Sequence, residues 1–157
     1  MIILGIDPGT ANTGYGIIDD EKSLQYIGHG VIQTSPKDCP GERLRQINNQ
    51  LSHIIKKYHP DILAIEKIYF FVNAKTAMPV SQAKGSILLT AAKKKIPVKE
   101  FSPVTIKLIT TGNGRAKKKE VQMAVQKILQ LKKIPKPNHA ADALAVAITC
   151  ITKIREA

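Results

Sequence analysis

The feature that most constrains the fold is the first strand-like segment together with the acid that ends it. Residues 1–6 read MIILGI, an almost unbroken apolar run typical of a strand that is buried on both faces. Asp7 follows at once and precedes Pro8-Gly9, a dipeptide that turns the chain. A second apolar run, residues 15–18, then heads back. Because an acid at the exit of a central strand is poorly placed for stability, Asp7 is predicted to take part in chemistry.

The segments that follow alternate between strand and helix patterns. Residues 24–33 predict a third strand, so the first three strands form an antiparallel meander. Helical spacing marks residues 42–58, and His59-Pro60 ends that helix. Residues 61–66 then repeat the opening pattern, an apolar strand that ends in an acid, Glu66.

The second half of the chain is predicted to be mainly helical. One helix runs from a cap at Asn73 to about residue 94, and Pro79 inside it predicts a kink or a late start. A short strand follows at residues 96–100, Ser102 caps another helix, and Asn138 caps the last one, residues 139–154. The order β-β-β-α-β-α-β-α-α-α predicts a single α/β domain over residues 1–157, with a mixed five-stranded sheet flanked by helices.

Length and composition exclude several classes of protein. A chain of 157 residues with 43% hydrophobic residues can bury one proper core and is too short for two domains of normal size. No apolar run approaches the ~20 residues that cross a bilayer, and no basic lead-in precedes the first strand, so neither a membrane span nor a signal peptide is expected. Cys39 and Cys150 have no metal-binding spacing. A reducing cytoplasmic location is therefore predicted.

The distribution of charge indicates a polyanionic partner. The formal net charge is +12, and residues 93–136 contain thirteen basic residues against two acidic ones, Glu100 and Glu120. A solvated lysine face would explain an evenly spread excess. An excess concentrated in one segment favours nucleic acid, because neutralised phosphates release their counterions on binding.

Three acids and a histidine form the candidate site. Asp7 and Glu66 end two apolar strands, and Asp142 lies in an otherwise apolar, alanine-rich helix. His139 precedes Asp142 by three positions, so both side chains share one face of the first helical turns. Buried charges persist when they are paired or bind metal, and no lysine or arginine in these motifs is an obvious dedicated partner. Oxygen ligands of this kind suit Mg²⁺ or Mn²⁺, and two such ions can drive phosphodiester hydrolysis.

Each of these residues has an ordinary structural explanation when it is taken alone. A strand-end acid is often a turn former, Asp142 could be an exposed helix residue, and His139 could simply begin its helix. The combination of all four with a strongly basic segment favours the metal-dependent interpretation.

The chain resembles the RuvC family of bacterial Holliday-junction resolvases, which belongs to the RNase H-like superfamily. The resemblance is carried by GIDPGTANTGYGII, AIEKIYFFVN and HAADALAVAI, in that order, with SQAKG and IKLITTGNGRAKKKEVQ between them. It spans essentially the whole chain. It implies an RNase H-like fold and a structure-selective endodeoxyribonuclease that resolves four-way junctions by paired, symmetric, metal-dependent cuts.

The resemblance also implies which residues carry the reaction. The four metal-coordinating and catalytic side chains of the family map onto Asp7, Glu66, His139 and Asp142. An aspartate is commoner at position 139, so His139 is either a ligand or a general base that positions the water. Because a neutral imidazole removes one negative charge and suits Mn²⁺ better than Mg²⁺, a stronger preference for Mn²⁺ is predicted.

The contacts to DNA are predicted in the same way. Tyr69 corresponds to a family aromatic that stacks on bases near the crossover, and Phe70 and Phe71 beside it could equally plug the core. The predicted phosphate-binding residues surround a Gly-Asn-Gly turn; they are Lys107, Arg115, Lys117, Lys118 and Lys119.

A two-fold symmetric junction that needs paired cuts predicts a homodimer, with small residues of the 73–94 helix allowing close approach. Family members work with the RuvA–RuvB branch-migration complex, so this is the expected protein partner.

Two alternative functions stay open. An actin-like ATPase also has a strand followed by DPGT but needs two such lobes, and a catalytically inactive junction-binding scaffold would fit the change at His139.

Overall fold

The computed structural model describes residues 1–69 and 74–157 and contains the predicted order of elements. Its strands are β1 (Ile2–Asp7), β2 (Asn12–Asp19), β3 (Gln25–Gln33), β4 (Ile62–Glu66) and β5 (Val98–Phe101). Its helices are α1 (Pro40–Tyr58), α2 (Ala74–Lys93), α3 (Pro103–Thr111), α4 (Lys118–Ile128) and α5 (Asn138–Arg155). The predicted element types are therefore confirmed, apart from the cap at Asn73, which lies outside the described residues.

The five strands form one mixed sheet in the order β3-β2-β1-β4-β5. β1 pairs antiparallel with β2 and parallel with β4, and β5 runs parallel to β4. The antiparallel meander and the parallel additions agree with the prediction. β1 lies in the middle, which explains why its sequence is apolar on both faces.

Two helical layers cover the sheet. One face packs against α1 and α2, through residues such as Leu4, Ile6, Leu51 and Ile87. The other face packs against α5, with α3 and α4 beside it. The middle of α5 is buried, because the helix crosses β1 and β2 and contacts α3 and α4 as well. No helix in the described ranges is long and apolar enough to cross a membrane.

The ends of several helices and strands can be compared with the predictions from the sequence. Ser102 caps α3 as expected, since its Oγ accepts the backbone N–H of Thr105 at 3.1 Å. His59 ends α1 in a left-handed conformation with φ of 48°. The prediction that Asn138 caps α5 was wrong: Asn138 is the first helical residue and Pro137 occupies the cap position. β2 also begins at Asn12, three residues earlier than predicted, so the first turn is tighter.

Pro79 neither delays the start of α2 nor ends it. The described helix begins at Ala74, five residues before the proline, and continues to Lys93. A proline inside a helix lacks the N–H of one intrahelical hydrogen bond. The carbonyl of Pro79 accepts the hydroxyl of Thr10 at 2.9 Å, which ties this part of α2 to the turn after β1.

Candidate metal centre

The alternation of side chains along β1 and β4 directs their terminal acids toward α5. Ile3 and Gly5 face the α5 side of the sheet, so Asp7, two residues further on, faces the same side. On β4, Ala64 faces α5, and Glu66 follows with the same parity. Since β1 and β4 are parallel neighbours, their carboxyl ends meet at one edge of the sheet. The two acids therefore open into one cleft.

Glycines on β1 and β2 allow α5 to approach the sheet closely. A Cβ on Gly5 would clash with the carbonyl oxygen of Ala143 and would lie 2.8 Å from the Cβ of Ala147. A Cβ on Gly16 would lie 2.7 Å from the side chain of Leu144. On Gly14, which pairs with Asp7 across β1 and β2, it would collide with the carbonyl of His139. These glycines fix the height of α5 above Asp7.

Asp7, His139 and Asp142 converge where the start of α5 crosses the end of β1. One possible ligand atom from each residue lies within 4.8 Å of the other two. The Nδ1 of His139 lies 2.9 Å from Oδ2 of Asp7, and this hydrogen bond raises the pKa of the imidazole. The Asp7 side chain is 16% exposed and that of His139 42%, so the group is half-buried and open on one side. Such an arrangement can hold a metal ion.

Glu66 borders this group without joining it at that distance. It lines a depression with Asp7 and Tyr69, and a second depression with Lys118 and Asp142. Burial and the negative charges of Asp7 and Asp142 raise the pKa of the Glu66 carboxyl to about 7. The three carboxyl groups therefore lie close enough to repel one another.

Lys118 supplies a cation that the sequence did not identify as a partner of the acids. Its Nζ lies 2.8 Å from Oδ2 of Asp142, on a side chain that is 53% exposed. Burial alone would lower the pKa of the Lys118 ammonium, but the Asp142 hydrogen bond and the nearby acidic charges raise it. No sign of this ion pair is visible in the sequence, because the pairing depends on how α4 packs against α5.

The donor set fits a hard divalent cation. Carboxylate oxygens with one imidazole are ligands of Mg²⁺ and Mn²⁺. Burial raises the pKa of Asp142 despite its bond to Lys118, and the pKa of Glu66 is raised more strongly. A bound divalent ion would relieve the repulsion that causes these shifts.

The predicted DNA-binding residues fall into two groups. Tyr69 is 47% exposed and lines the cleft beside Asp7 and Glu66, while Lys107 lines it beside Glu66 and Asp142. Lys118 contacts Asp142 itself. Arg115, Lys117 and Lys119 are exposed on the surface around the start of α4. Phe70 and Phe71 lie outside the described residues.

The cleft also contains cations that the sequence analysis did not select. Arg43 of α1 and Lys75 of α2 line its other end, with Asp7 and His139. They lie outside the strongly basic segment, and α1 and α2 approach the site only through the fold.

The glycines at 5, 14 and 16 were a usable signal of the packing of α5, because glycine inside a buried strand often marks a close approach of another backbone.

Comparisons with known proteins agree with the predicted family. The family model described as "Crossover junction endodeoxyribonuclease RuvC" matches residues 3–150. Proteins of that name from Fusobacterium nucleatum and Treponema denticola are 44% and 49% identical to this chain. The first alignment covers 98% of this chain and 82% of the relative, and the second covers 95% and 84%.

Solved structures give the same result. The chain is 32% identical to that of "Thermus thermophilus RuvC structure", with a TM-score of 0.90 over 99% of this chain and 96% of the other. A structure titled "T. thermophilus RuvC in complex with Holliday junction substrate" gives a TM-score of 0.93 with the same identity and coverage. The Fowlpox virus resolvase, 19% identical, shares the fold with a TM-score of 0.64 over 96% of this chain and 99% of that one.

These matches confirm the RNase H-like fold and the enzyme class that the three sequence blocks predicted. The matched residues 3–150 include Asp7, Glu66, His139 and Asp142. The chain belongs to the RuvC family of crossover junction endodeoxyribonucleases.

Proposed function

We propose that this chain resolves Holliday junctions by using Asp7, Glu66, His139 and Asp142 as its metal-binding and catalytic residues. The observation that carries the proposal is the convergence of Asp7, His139 and Asp142, from two different elements, to within 4.8 Å. Glu66, at the end of the neighbouring parallel strand, completes the set of acids in the cleft.

The proposed cofactor is Mg²⁺ or Mn²⁺, with two ions in each site. Bound ions would activate a water molecule and stabilise the leaving oxygen of the cut phosphodiester. Asp7, Asp142 and Glu66 would supply the carboxylate ligands. His139 would act as a ligand or would accept a proton from the attacking water, and its hydrogen bond to Asp7 orients the ring for either role.

The cleft residues suggest how DNA is held. Lys107 and Lys118 lie beside the acids, where they would bind phosphates close to the cut. Arg115, Lys117 and Lys119 would extend this contact along the surface. Tyr69 presents an exposed ring at the mouth of the cleft, where an unpaired base could stack on it, a contact of roughly 1–3 kcal/mol.

A homodimer would supply the two cuts, and α2 offers a surface for it. Met78, Gln82, Gly85 and Leu89 are exposed and follow each other at spacings of four, three and four residues. This spacing forms one stripe along the helix. A Cβ on Gly85 would meet no atom of the described residues within 4 Å, so a second copy could approach there. Two of the small residues of this helix, Ala77 and Ala83, are buried inside the chain and are not available for such a contact.

The RuvA–RuvB partner and the cytoplasmic location are proposed from the family and the sequence. Cys39 is exposed and Cys150 is buried, and both are free thiols, as a reducing compartment allows. Co-sedimentation of the protein with junction-bound RuvA–RuvB tests the partner. Recovery of the protein only with bare junction DNA would contradict it.

The proposed activity is tested with a synthetic four-way junction and Mn²⁺. We expect paired nicks at symmetric positions on opposite strands, and Asp7→Asn should reduce their rate by about a thousandfold or more. Asp38→Asn is a matched control, because Asp38 lies away from the cleft and accepts a hydrogen bond from Gln46 that an amide oxygen can also accept.

Two other outcomes would replace the proposal. Tight binding of the junction without nicks in the wild-type protein would favour an inactive scaffold. Hydrolysis of ATP would favour the actin-like alternative. Nicking that persists unchanged in Asp7→Asn would remove Asp7 from the catalytic residues.

A further inference from the structure

The catalytic cleft continues beyond Asp7 and His139 into a depression that none of the predicted DNA-binding residues occupies. This depression of about 430 Å³ lies between the turn after β1, the start of α1 and the first turns of α2. It shares Asp7 and His139 with the metal centre, and Arg43 and Lys75 line its wall. We call it the Arg43 end of the cleft. The depression that contains Lys107 and Lys118 is the Lys118 end.

Hydrogen bonds fix the Arg43 side chain at one edge. Its Nε donates to Oγ1 of Thr34 at 2.9 Å, and that hydroxyl donates to the carbonyl oxygen of Thr10 at 2.6 Å. Thr10 in turn donates its hydroxyl to the carbonyl of Pro79 at 2.9 Å. The chain of hydrogen bonds connects α1, the end of β3, the turn after β1 and α2. The guanidinium is therefore held in place by neutral groups, which do not compensate its positive charge.

Arg45, two residues along the same helix, shows the contrast. Its Nε and Nη2 donate to the two carboxylate oxygens of Glu42 at 2.8 and 2.6 Å. Arg43 has no carboxylate within ion-pair distance among residues 1–69 and 74–157. A half-buried guanidinium that is oriented through Nε can still offer its terminal nitrogens to an anion.

Phosphate is the anion that fits this setting. A guanidinium binds phosphate oxygens in a bidentate manner, and the exposed Lys75 adds a second positive charge to the lining of the same depression. The acids of the metal centre would repel a free anion from this place. A phosphate that belongs to a DNA strand already bound at the metal centre is held next to Arg43 by that strand, so it can bind there despite the repulsion.

We propose that Arg43, assisted by Lys75, binds a phosphodiester of the cut strand on the side of the metal centre opposite Lys118. The proposal rests on the junction-cutting function given above. It makes the cleft a track with cations at both ends and the metal-binding acids between them. Arg43 would then hold the strand on one side of the cut while the Lys118 end holds it on the other.

The test compares Arg43→Met with Arg45→Met, since each removes one positive charge from α1. Junction affinity is measured by fluorescence anisotropy in Ca²⁺ over a series of salt concentrations, and cleavage is measured in Mn²⁺. Arg43→Met should weaken binding by about tenfold and reduce the slope of log Kd against log salt by about one. Arg45→Met should change both quantities much less.

Thr34→Val provides a second variant that keeps the charge of Arg43 and removes the hydroxyl that accepts its Nε–H and donates to the carbonyl of Thr10. It should leave the salt slope near that of wild type and lower the cleavage rate, since the guanidinium is no longer oriented. Mn²⁺ affinity without DNA, followed by electron paramagnetic resonance, should stay at the wild-type value in all three variants. Thermal unfolding establishes that each variant is folded.

The results separate this inference from the function on which it rests. If wild type neither binds nor cuts the junction, the proposed function fails. If wild type cuts and Arg43→Met matches Arg45→Met in affinity, salt slope and rate, the phosphate site is overturned. Loss of Mn²⁺ affinity in Arg43→Met would also overturn it, because Arg43 would then support the metal centre.

Discussion

The first turns of α5 and the first turn of α4 both bring functional side chains to the cleft, but they are held in different ways. α5 is buried along nearly its whole length and rests on glycines of β1 and β2. The first turn of α4 is exposed, and Lys118 reaches into the cleft with a side chain that is 53% exposed. One helix places His139 and Asp142 by close packing, while the other presents the ammonium of Lys118 on an exposed side chain.

This difference suggests a division of labour. The proposed metal ligands need fixed positions, and close packing of α5 on the sheet provides them for His139 and Asp142. Lys118 forms an ion pair with Asp142. In the proposed function a divalent ion would replace this pairing, and the long side chain of Lys118 would then be available to a DNA phosphate. Four predictions test the contrast between a rigid and an exchangeable part of the site.

The largest effect is expected from Gly14→Ala, which disturbs the rigid part. The new methyl group would collide with the carbonyl of His139 and push the start of α5 away from Asp7. We expect a loss of stability of about 1–3 kcal/mol and a fall in cleavage rate of about a hundredfold. Gly41→Ala is the control, because a Cβ there meets none of residues 1–69 and 74–157 within 4 Å and should leave both quantities near wild type. Equal behaviour of the two variants would show that α5 does not need this close approach.

The next effect concerns the stability of the metal-free protein as pH changes. The pKa of Glu66 is raised from 4.5 to about 7, mainly by burial, and those of Asp142 and His139 are also raised. These groups bind protons more tightly when the protein is folded. For Glu66 the contribution to stability is therefore complete below its ordinary pKa of 4.5 and is lost as pH rises through about 7, and the raised pKa values of Asp142 and His139 act in the same direction.

For Glu66 alone this loss amounts to at most about 3 kcal/mol between pH 4.5 and 7. Unfolding by urea at several pH values measures it. Glu66→Gln should flatten the dependence, and addition of Mn²⁺ should restore stability at pH 7. A metal-free stability that rises between pH 5 and 7 in wild type but not in Glu66→Gln would contradict the assignment.

Smaller effects are expected from Lys118→Met, which should change metal affinity and junction affinity in opposite directions. Removing the ammonium frees Asp142, so Mn²⁺ affinity without DNA should increase by up to about tenfold. Junction affinity should decrease, because one phosphate contact is lost. Lys119→Met is the matched control, since Lys119 is exposed on the same turn and should weaken DNA binding without affecting the metal. Isothermal titration with Mn²⁺ distinguishes the two, and unchanged metal affinity in Lys118→Met would show that Lys118 does not compete with the ion.

The smallest effect is a change in metal preference. His139 gives the site an imidazole where a carboxylate would favour Mg²⁺. His139→Asp should therefore raise the ratio of the Mg²⁺-dependent to the Mn²⁺-dependent cleavage rate by a few-fold, measured with each metal at saturation. If wild type and variant show equal turnover with both metals, the imidazole does not set the preference.

The sequence predicted the sheet, the order of elements and the two strand-end acids because these depend on local patterns. Unbroken apolar runs identified β1 and β4, and the acids that end them were visible as exceptions to those runs. The position of Asp142 was predictable because a lone acid in an alanine-rich helix is unusual.

The contacts that were missed depend on packing between distant elements. Lys118 pairs with Asp142 only because α4 lies against α5, and Arg43 reaches the cleft only because α1 packs on the sheet beside the first turn. Neither residue differs from other surface cations in the sequence. The cap of α5 was assigned to Asn138 from its residue type, whereas the chain enters the helix one residue earlier, at Pro137.

The most direct test of this account is anomalous diffraction from crystals of the protein soaked with Mn²⁺. We expect a Mn²⁺ peak about 2.1 Å from carboxylate oxygens of Asp7 and Asp142, with the Nζ of Lys118 no longer bonded to Asp142. A crystal that shows no peak in this group, or a peak there while the Lys118–Asp142 ion pair stays intact, would contradict the exchange between the rigid acids and the mobile cation.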